Sequence, residues 1–149
     1  MPIIQSMTTS FKREILNGVH AFGTTVVRAT TAADTFNLAL YTSAANLDSA
    51  TTAYTTSGEV AAGGGYSTGG ITLTTIAPTS SGTTAFLTFN DVTIAASTIT
   101  ARGALIYNST QANRAVAALD FGADKSSSNG NFTIQFPAAT ATSAILRIA

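Results

Sequence analysis

The sequence predicts a mainly β domain, an antiparallel sandwich or jelly-roll-like fold with one N-terminal helix and a short N-terminal arm. Thr, a β-branched residue that suits a half-exposed pleated surface, is abundant along the 149-residue chain. Short runs of alternating apolar and polar residues recur between polar turns, and only one segment has a helical period. The length suits one domain, which we place at residues 10–149 behind an arm at residues 1–9.

The arm, residues 1–9, is short and mildly apolar. It either frays, as chain ends often do, or lies on a neighbouring subunit. The adjacent Ile3 and Ile4 favour the second alternative, because two exposed apolar side chains are unfavourable in water.

The only segment with a helical pattern is residues 10–20. Ser10 is a plausible N-cap, Gly18 weakens the last turn, and Gly23 can end the helix in a left-handed conformation. The apolar residues form one stripe with a period near 3.6, which should pack across a sheet or a subunit interface. The members of the stripe are Phe11, Ile15, Leu16, Val19 and Phe22.

Strands account for most of the rest of the chain. We expect them at residues 24–30, 35–42, 71–76, 84–89, 92–94, 98–106, 114–121, 132–136 and 144–148. Polar and Gly-rich runs predict turns at residues 78–82 and 108–113 and a loop at residues 124–131. Alternation predicts that one face of the 98–106 strand and its extension carries Ile99, Ala101, Gly103, Leu105 and Tyr107.

Residues 46–58 form a long predicted loop that we expect to be functional or covered by a partner. Tyr54 and the pair Glu59–Val60 are the positions most suited to tie it down. The glycine cluster at 63–70 surrounds Tyr66 and resembles a phosphate-binding loop. It lacks the Gly-Lys-Ser/Thr ending, however, and no helix pattern follows it. We therefore interpret it as a turn with positive-φ positions.

The charge content limits the possible partners. Charged residues make up 9% of the chain, and seven basic residues balance seven acidic ones. A net charge near zero favours association, so much of the surface should be covered by other subunits or by hydroxyl and amide groups. The missing basic footprint argues against nucleic acid, and no apolar run is long enough to span a membrane. Without Cys there are no disulfides or thiolate metal sites.

The residues that could carry catalysis form no recognisable motif. His20 is the single histidine, and Asp34 is the nearest acid in sequence, but no nucleophile-elbow pattern accompanies them. Asp91, Asp120 and Asp124 lie at strand ends, where Asp commonly caps turns. We therefore expect no enzyme activity, no cofactor and no metal site, and a structural or solvent role for His20.

Several segments together resemble a family of small virion structural proteins of tailed bacteriophages. The most specific are LALYTSAANLD, the region around Tyr54 and Glu59, the glycines after Tyr66, and ARGALIYN. The resemblance covers nearly the whole chain from Ser10 onward, and residues 24–33 look like an insertion into the family pattern. It implies that the protein is a component of a phage particle.

Within that family the favoured function is a capsid decoration (cement) protein. It would bind the outside of the major capsid protein shell as a homo-oligomer, expected to be a trimer, after synthesis in the host cytoplasm. Ile3, Ile4, Tyr54 and Tyr66 are the candidate interface residues. One alternative is a tail, neck or fibre component, including a receptor- or carbohydrate-binding module with Tyr41, Tyr54 or Tyr66 exposed in a groove. A cell-wall hydrolase is the remaining alternative.

Overall fold

The computed structural model describes residues 2–16, 18–23 and 32–149, so the strand predicted at 24–30 lies outside the described residues. The elements are β1 Ser6–Met7, α1 Thr9–Leu16, β2 Phe36–Tyr41, β3 Ile71–Thr72, β4 Thr75–Ser81, β5 Thr84–Phe89, β6 Val92–Asn108, β7 Arg114–Ile134 and β8 Leu146–Ile148. They form a five-stranded sheet in the order β1-β7-β6-β2-β3 and a three-stranded sheet in the order β4-β5-β8. All strand pairs are antiparallel, which confirms the mainly β, sandwich-like prediction.

Both sheets contribute to one main core. Leu87 and Phe89 of β5 and Leu146 of β8 join apolar residues of the five-stranded sheet and of α1. Burial of each large apolar side chain stabilises the fold by about 1.5–3 kcal/mol. The main-core residues with almost no exposed surface include Phe11, Phe36, Leu38, Leu40, Phe89, Ile106 and Val116.

Helix α1 is shorter than predicted and is capped by a different residue. The Thr8 hydroxyl accepts the Phe11 N–H at 3.2 Å, so Thr8 caps the helix and Ser10 lies inside it. Thr8 is fully buried and its hydroxyl also donates to the Ala115 carbonyl. The helix ends at Leu16 and not at residue 20, because Gly18 takes a φ of 68°.

The N-terminal arm packs on its own chain. Strand β1 pairs with Ala117 and Ala118 of β7, and Ile3 forms a parallel bridge with Leu47. Ile3 is buried, and its side chain lies where a Cβ on Gly103 would stand.

The long β6–β7 hairpin overturns the loop predicted at 124–131. These residues belong to β7, and Lys125, Ser126, Ser127 and Gly130 among them pair with β6. The Ser- and Asn-rich run is stabilised by hydroxyl pairs across the two strands, such as Thr100 with Ser126 at 2.8 Å and Ser97 with Ser127 at 2.7 Å. The local turn signal is therefore overridden by cross-strand pairing.

A register shift in the same hairpin changes which side chains share a face. The shift lies between Ala101 and Gly103. Ile99 and Ala101 consequently join the main core, whereas Leu105 and Tyr107 belong to a second cluster on the opposite face. The predicted single face is wrong, because strict alternation does not allow for a bulge.

The strand predicted at 71–76 is divided between the two sheets as β3 and β4. The turn predicted at 78–82 is also wrong in position. Pro78 lies within β4, an edge strand, where the missing N–H is tolerated and the register is shifted. The chain reverses after Ser81, at Gly82, which has a φ of 58°.

Candidate functional site

The segment between β2 and β3, residues 42–70, is here called the excursion. Its first part, together with the N-terminal arm, covers the outer face of the five-stranded sheet, whereas Val60 and Tyr66 pack into the main core. The buried residues of this second cluster are Ile3, Ala39, Tyr41, Ala45, Leu47, Leu105, Tyr107, Ala115 and Ala118. The excursion therefore adds a third layer to the two sheets, with its own small core.

Backbone hydrogen bonds join the excursion to β2 on one side and to the turn before β7 on the other. The Val60 N–H donates to the Leu40 carbonyl, and the Thr42 N–H donates to the Gly58 carbonyl, each at 2.9 Å. On the opposite side, the Tyr54 N–H donates to the Asn113 carbonyl at 2.9 Å. Tyr54 and Val60 are thus tie-points of the long loop, as the sequence predicted.

Glu59 is the centre of the side-chain network that holds the excursion. Its Oε1 accepts the Tyr66 hydroxyl and the Gly69 N–H, each at 2.7 Å, and its Oε2 accepts the Tyr54 hydroxyl at 2.6 Å. The Tyr66 oxygen in turn accepts the Leu40 N–H at 3.0 Å. One carboxylate therefore connects the middle of the excursion to its glycine-rich end and, through Tyr66, to β2.

The other two tyrosines of the chain complete this cluster. The Tyr41 hydroxyl donates to the Thr55 carbonyl at 2.6 Å, and the Tyr107 hydroxyl donates to the Gly69 carbonyl at 2.6 Å. The rings of Tyr54 and Tyr107 stack with centroids 4.7 Å apart. All four tyrosines of the sequence are thus used to fasten one segment.

The cluster keeps its tyrosines neutral. Burial raises the pKa of Tyr41, Tyr54, Tyr66 and Tyr107 above the usual tyrosine value. For Tyr54 and Tyr66 the hydrogen bond to Glu59 raises the pKa further, because the carboxylate favours a hydroxyl that still carries its proton. The phenols act as hydrogen-bond donors here and not as acids.

Two glycines let the excursion approach the sheet closely. Gly70 has a φ of 81°, and a Cβ there would lie 1.9 Å from the Leu38 carbonyl oxygen. Gly64 has a φ of 55°, and a Cβ there would lie 2.4 Å from the Thr98 carbonyl oxygen. The glycine cluster is a set of positive-φ turns, as predicted, and it also provides the room for this contact.

The fully exposed residues of the excursion are small or polar, and none of them is charged. Its only charged residues are Asp48, which is half-buried and accepts the Ala50 N–H, and Glu59, which is occupied by the tyrosines. The exposed residues are Ser43, Ala44, Asn46, Ser49, Ala50, Thr52, Ala53, Thr55, Thr56, Ser57, Ala61, Ala62, Gly63, Gly64, Gly65, Ser67 and Thr68. This surface is the candidate contact site of the protein.

The predicted interface residues lie in different surroundings. Ile3 and Tyr66 are 6% and 3% exposed and pack inside their own chain. Tyr54 is half-buried, with its hydroxyl bonded to Glu59. Ile4 is 55% exposed and lies beside the excursion, because its N–H donates to the Leu47 carbonyl. Of these four residues, only Ile4 and the accessible part of Tyr54 can touch a partner in this conformation.

The sequence indicated Tyr54 and Glu59 as tie-points but missed Tyr41 and Tyr107 as members of the same network. In the sequence, Tyr41 is a candidate only as an exposed tyrosine of the carbohydrate-binding alternative. Tyr107 lies far from Glu59 in sequence, and the register shift in β6 decides which face it occupies. No local signal in the chain marks this meeting of residues.

A second polar cluster surrounds the fully buried Asn108. Its Nδ2 donates to Asp34 Oδ2 and lies 2.9 Å from His20 Nδ1, and its Oδ1 accepts the N–H groups of Thr110 and Gln111. The amide of Asn108, and not a nucleophile, therefore lies between His20 and Asp34. This arrangement anchors the 109–113 turn to the segments on either side of residues 24–31.

Among the described residues, no three His, Asp or Glu side chains come close enough to hold a metal ion. In the same part of the chain, no helix has the length and apolar character needed to cross a membrane. Comparisons with protein-family models, with characterised protein sequences and with solved structures gave no match.

Proposed function

We propose that the chain is a bacteriophage virion structural protein, a capsid decoration (cement) protein that binds the outside of the major capsid protein shell and stabilises it. The resemblance of the sequence to small virion proteins supports this proposal. The structural observation that supports it best is the excursion, which presents a neutral surface in one fixed conformation.

A neutral surface of small residues is suited to burial against another protein. Removing a charge from water costs several kcal/mol unless the charge is paired, and the cores of interfaces are depleted of charged residues. The excursion holds the half-buried Glu59 in hydrogen bonds to tyrosines, keeps Asp48 half-buried, and otherwise exposes hydroxyl, amide, methyl and backbone groups. Its desolvation is therefore inexpensive.

The rigid attachment of the excursion also favours binding. Ordering a loop at an interface subtracts from the affinity, so a loop that is ordered beforehand binds more tightly for the same contacts. The four tyrosines and Glu59 provide that order within the free chain.

The proposed particle component is a homo-oligomer, a trimer on the capsid exterior. The net charge of zero supports self-association, since a chain with so few charges has little electrostatic protection against it. Light scattering on the isolated protein measures the number of subunits.

The alternative function is that of a tail, neck or fibre component. A carbohydrate-binding module of this kind needs tyrosines that are exposed in a groove. Tyr41 and Tyr66 are buried, and the Tyr54 hydroxyl is bonded to Glu59. No observation on the described residues favours such a module.

Cryo-electron microscopy of the virion tests the location. Density over the whole shell, in numbers that match the shell subunits, is the expected result, whereas density at the tail or neck alone overturns the proposal. A shell-binding assay tests the surface. Ala62→Glu puts a charge on the excursion and should weaken binding by at least about tenfold. Thr79→Glu, on the exposed face of β4, is the matched control and should bind like wild type.

A further inference from the structure

We propose that Asn129 is a site of spontaneous deamidation and backbone isomerisation. The backbone nitrogen of Gly130 attacks Cγ of Asn129, a C–N bond forms, and the side-chain nitrogen leaves as ammonia after taking up the proton of the Gly130 N–H. Water then opens the five-membered imide at either carbonyl. The products are aspartate and isoaspartate, and the latter has one extra methylene in the main chain. No oxidant or cofactor is needed.

The backbone conformation favours an asparagine at position 129 but does not require a glycine at position 130. Asn129 is exposed and has a φ of 48°, a left-handed conformation that Asn tolerates better than most residues. Gly130 has no left-handed φ, and a Cβ there would meet nothing closer than the Ser128 carbonyl oxygen at 3.7 Å. The fold therefore accepts other residues at 130. Gly130 pairs with Ser97 of β6, and its missing side chain removes the steric obstruction to attack of its nitrogen on Cγ.

Two other described asparagines, Asn131 and Asn108, are less suited to this reaction. Asn131 is exposed, but the following residue is the buried Phe132. Asn108 is fully buried with its amide hydrogen-bonded. Asn129 combines an exposed amide with a following glycine.

The modified residue would lie next to the candidate contact surface. The Asn129 N–H donates to Thr98 Oγ1 at 3.0 Å, and the Thr98 N–H donates to the Gly64 carbonyl at 2.9 Å. Deamidation places a carboxylate at this point and lowers the net charge from zero to minus one. An effect on shell binding rests on the proposed function, whereas the reaction itself does not.

The reaction is tested on the full-length folded protein. Samples kept at mildly alkaline pH are digested with trypsin, and tandem mass spectrometry reads the peptide of residues 126–147 separately from that of residues 14–28, which carries the other Asn-Gly pair of the sequence. We expect loss of the amide at Asn129 with Asn131 unchanged, together with isoaspartate detected by enzymatic methyl transfer.

Gly130→Ala is the decisive variant, because the fold has room for it. It should retain the wild-type circular dichroism and react several-fold more slowly. An intact Asn129 after a time that converts a synthetic peptide of residues 126–134 would overturn the proposal. An undiminished rate in Gly130→Ala would do the same. Asn129→Asp should bind the shell several-fold more weakly; wild-type binding would remove the link to the contact surface and leave the reaction standing.

Discussion

The carboxylate of Glu59 accepts a 2.7 Å hydrogen bond from the Tyr66 hydroxyl. This bond joins the middle of the excursion to its glycine cluster. The Tyr66 oxygen also accepts the Leu40 N–H, so the hydrogen-bond network continues to β2. A polar contact is thus the centre of a segment that contains few large apolar residues.

Glu59→Gln should lower the free energy of unfolding by about 2 kcal/mol. Hydrogen bonds to a charged acceptor contribute about 1.5–3 kcal/mol, and the amide nitrogen of Gln faces donors on at least one side. Chemical denaturation measures the change. Asp124→Asn, on an exposed part of β7, removes the same charge and should stay within about 0.5 kcal/mol of wild type. Equal effects of the two variants would contradict a central role for Glu59.

Tyr66→Phe should destabilise the fold more than Tyr54→Phe, by about 2 against about 1 kcal/mol. The Tyr66 hydroxyl donates to Glu59 and accepts from Leu40 inside the core, so its loss leaves a buried N–H unpaired. The Tyr54 hydroxyl makes one such bond and is less buried, so water can replace it. Denaturation curves for the two variants decide the order, and the reverse order would show that water reaches Tyr66.

The sequence predicted the parts of the fold that depend on local alternation. Strand β2 and strand β5, with the break after Phe89, came from alternating apolar positions and polar punctuation. Tyr54 and Glu59 stand out as tie-points because they are large or charged residues in a run of small ones. The local pattern predicts these features because each of them depends on residues that are close together in sequence.

The errors have long-range causes. Residues 124–131 carry a strong turn signal, yet they pair with β6 because that strand supplies hydroxyl partners such as Thr100. The helix is capped by Thr8 and not by Ser10, because the Thr8 hydroxyl also donates to the Ala115 carbonyl across the fold. The meeting of Tyr41 and Tyr107 with Glu59 depends on sheet order and register. These features require knowledge of which strands are neighbours.

Gly70→Ala should be among the most damaging single substitutions, with a loss of about 4 kcal/mol or failure to fold. A Cβ at residue 70 would overlap the Leu38 carbonyl and lie 2.7 Å from the Ala39 Cα, so β2 itself would have to move. Gly82→Ala is the matched control. It also has a positive φ, but no atom lies within 4 Å of its Cβ, and it should lose only about 1 kcal/mol. Similar losses in thermal unfolding would mean that φ strain, and not the close approach, governs both sites.

The tyrosine cluster predicts a loss of stability in alkali. Burial raises the pKa of all four tyrosines in the folded state above the unfolded value of about 10. The folded state therefore binds more protons than the unfolded state above that pH, and the free energy of unfolding falls as pH rises. Below about pH 10 the contribution is fully present. Tyrosinate absorbance and circular dichroism should change together during an alkaline titration. Ionisation of the tyrosines before any loss of structure would contradict the prediction.

Asn108→Asp should destabilise the fold by about 3 kcal/mol or more although the side chain keeps its shape. The substitution removes the Nδ2 group that donates to Asp34 and replaces it with an oxygen, so two carboxylates would face each other about where a 2.9 Å hydrogen bond now stands. Asn46→Asp introduces the same charge on the exposed surface and should change stability by less than about 0.5 kcal/mol. The difference between the two denaturation midpoints isolates the effect of the site. A small difference would mean that water enters the cluster and that Asn108 does not hold the 109–113 turn against His20 and Asp34.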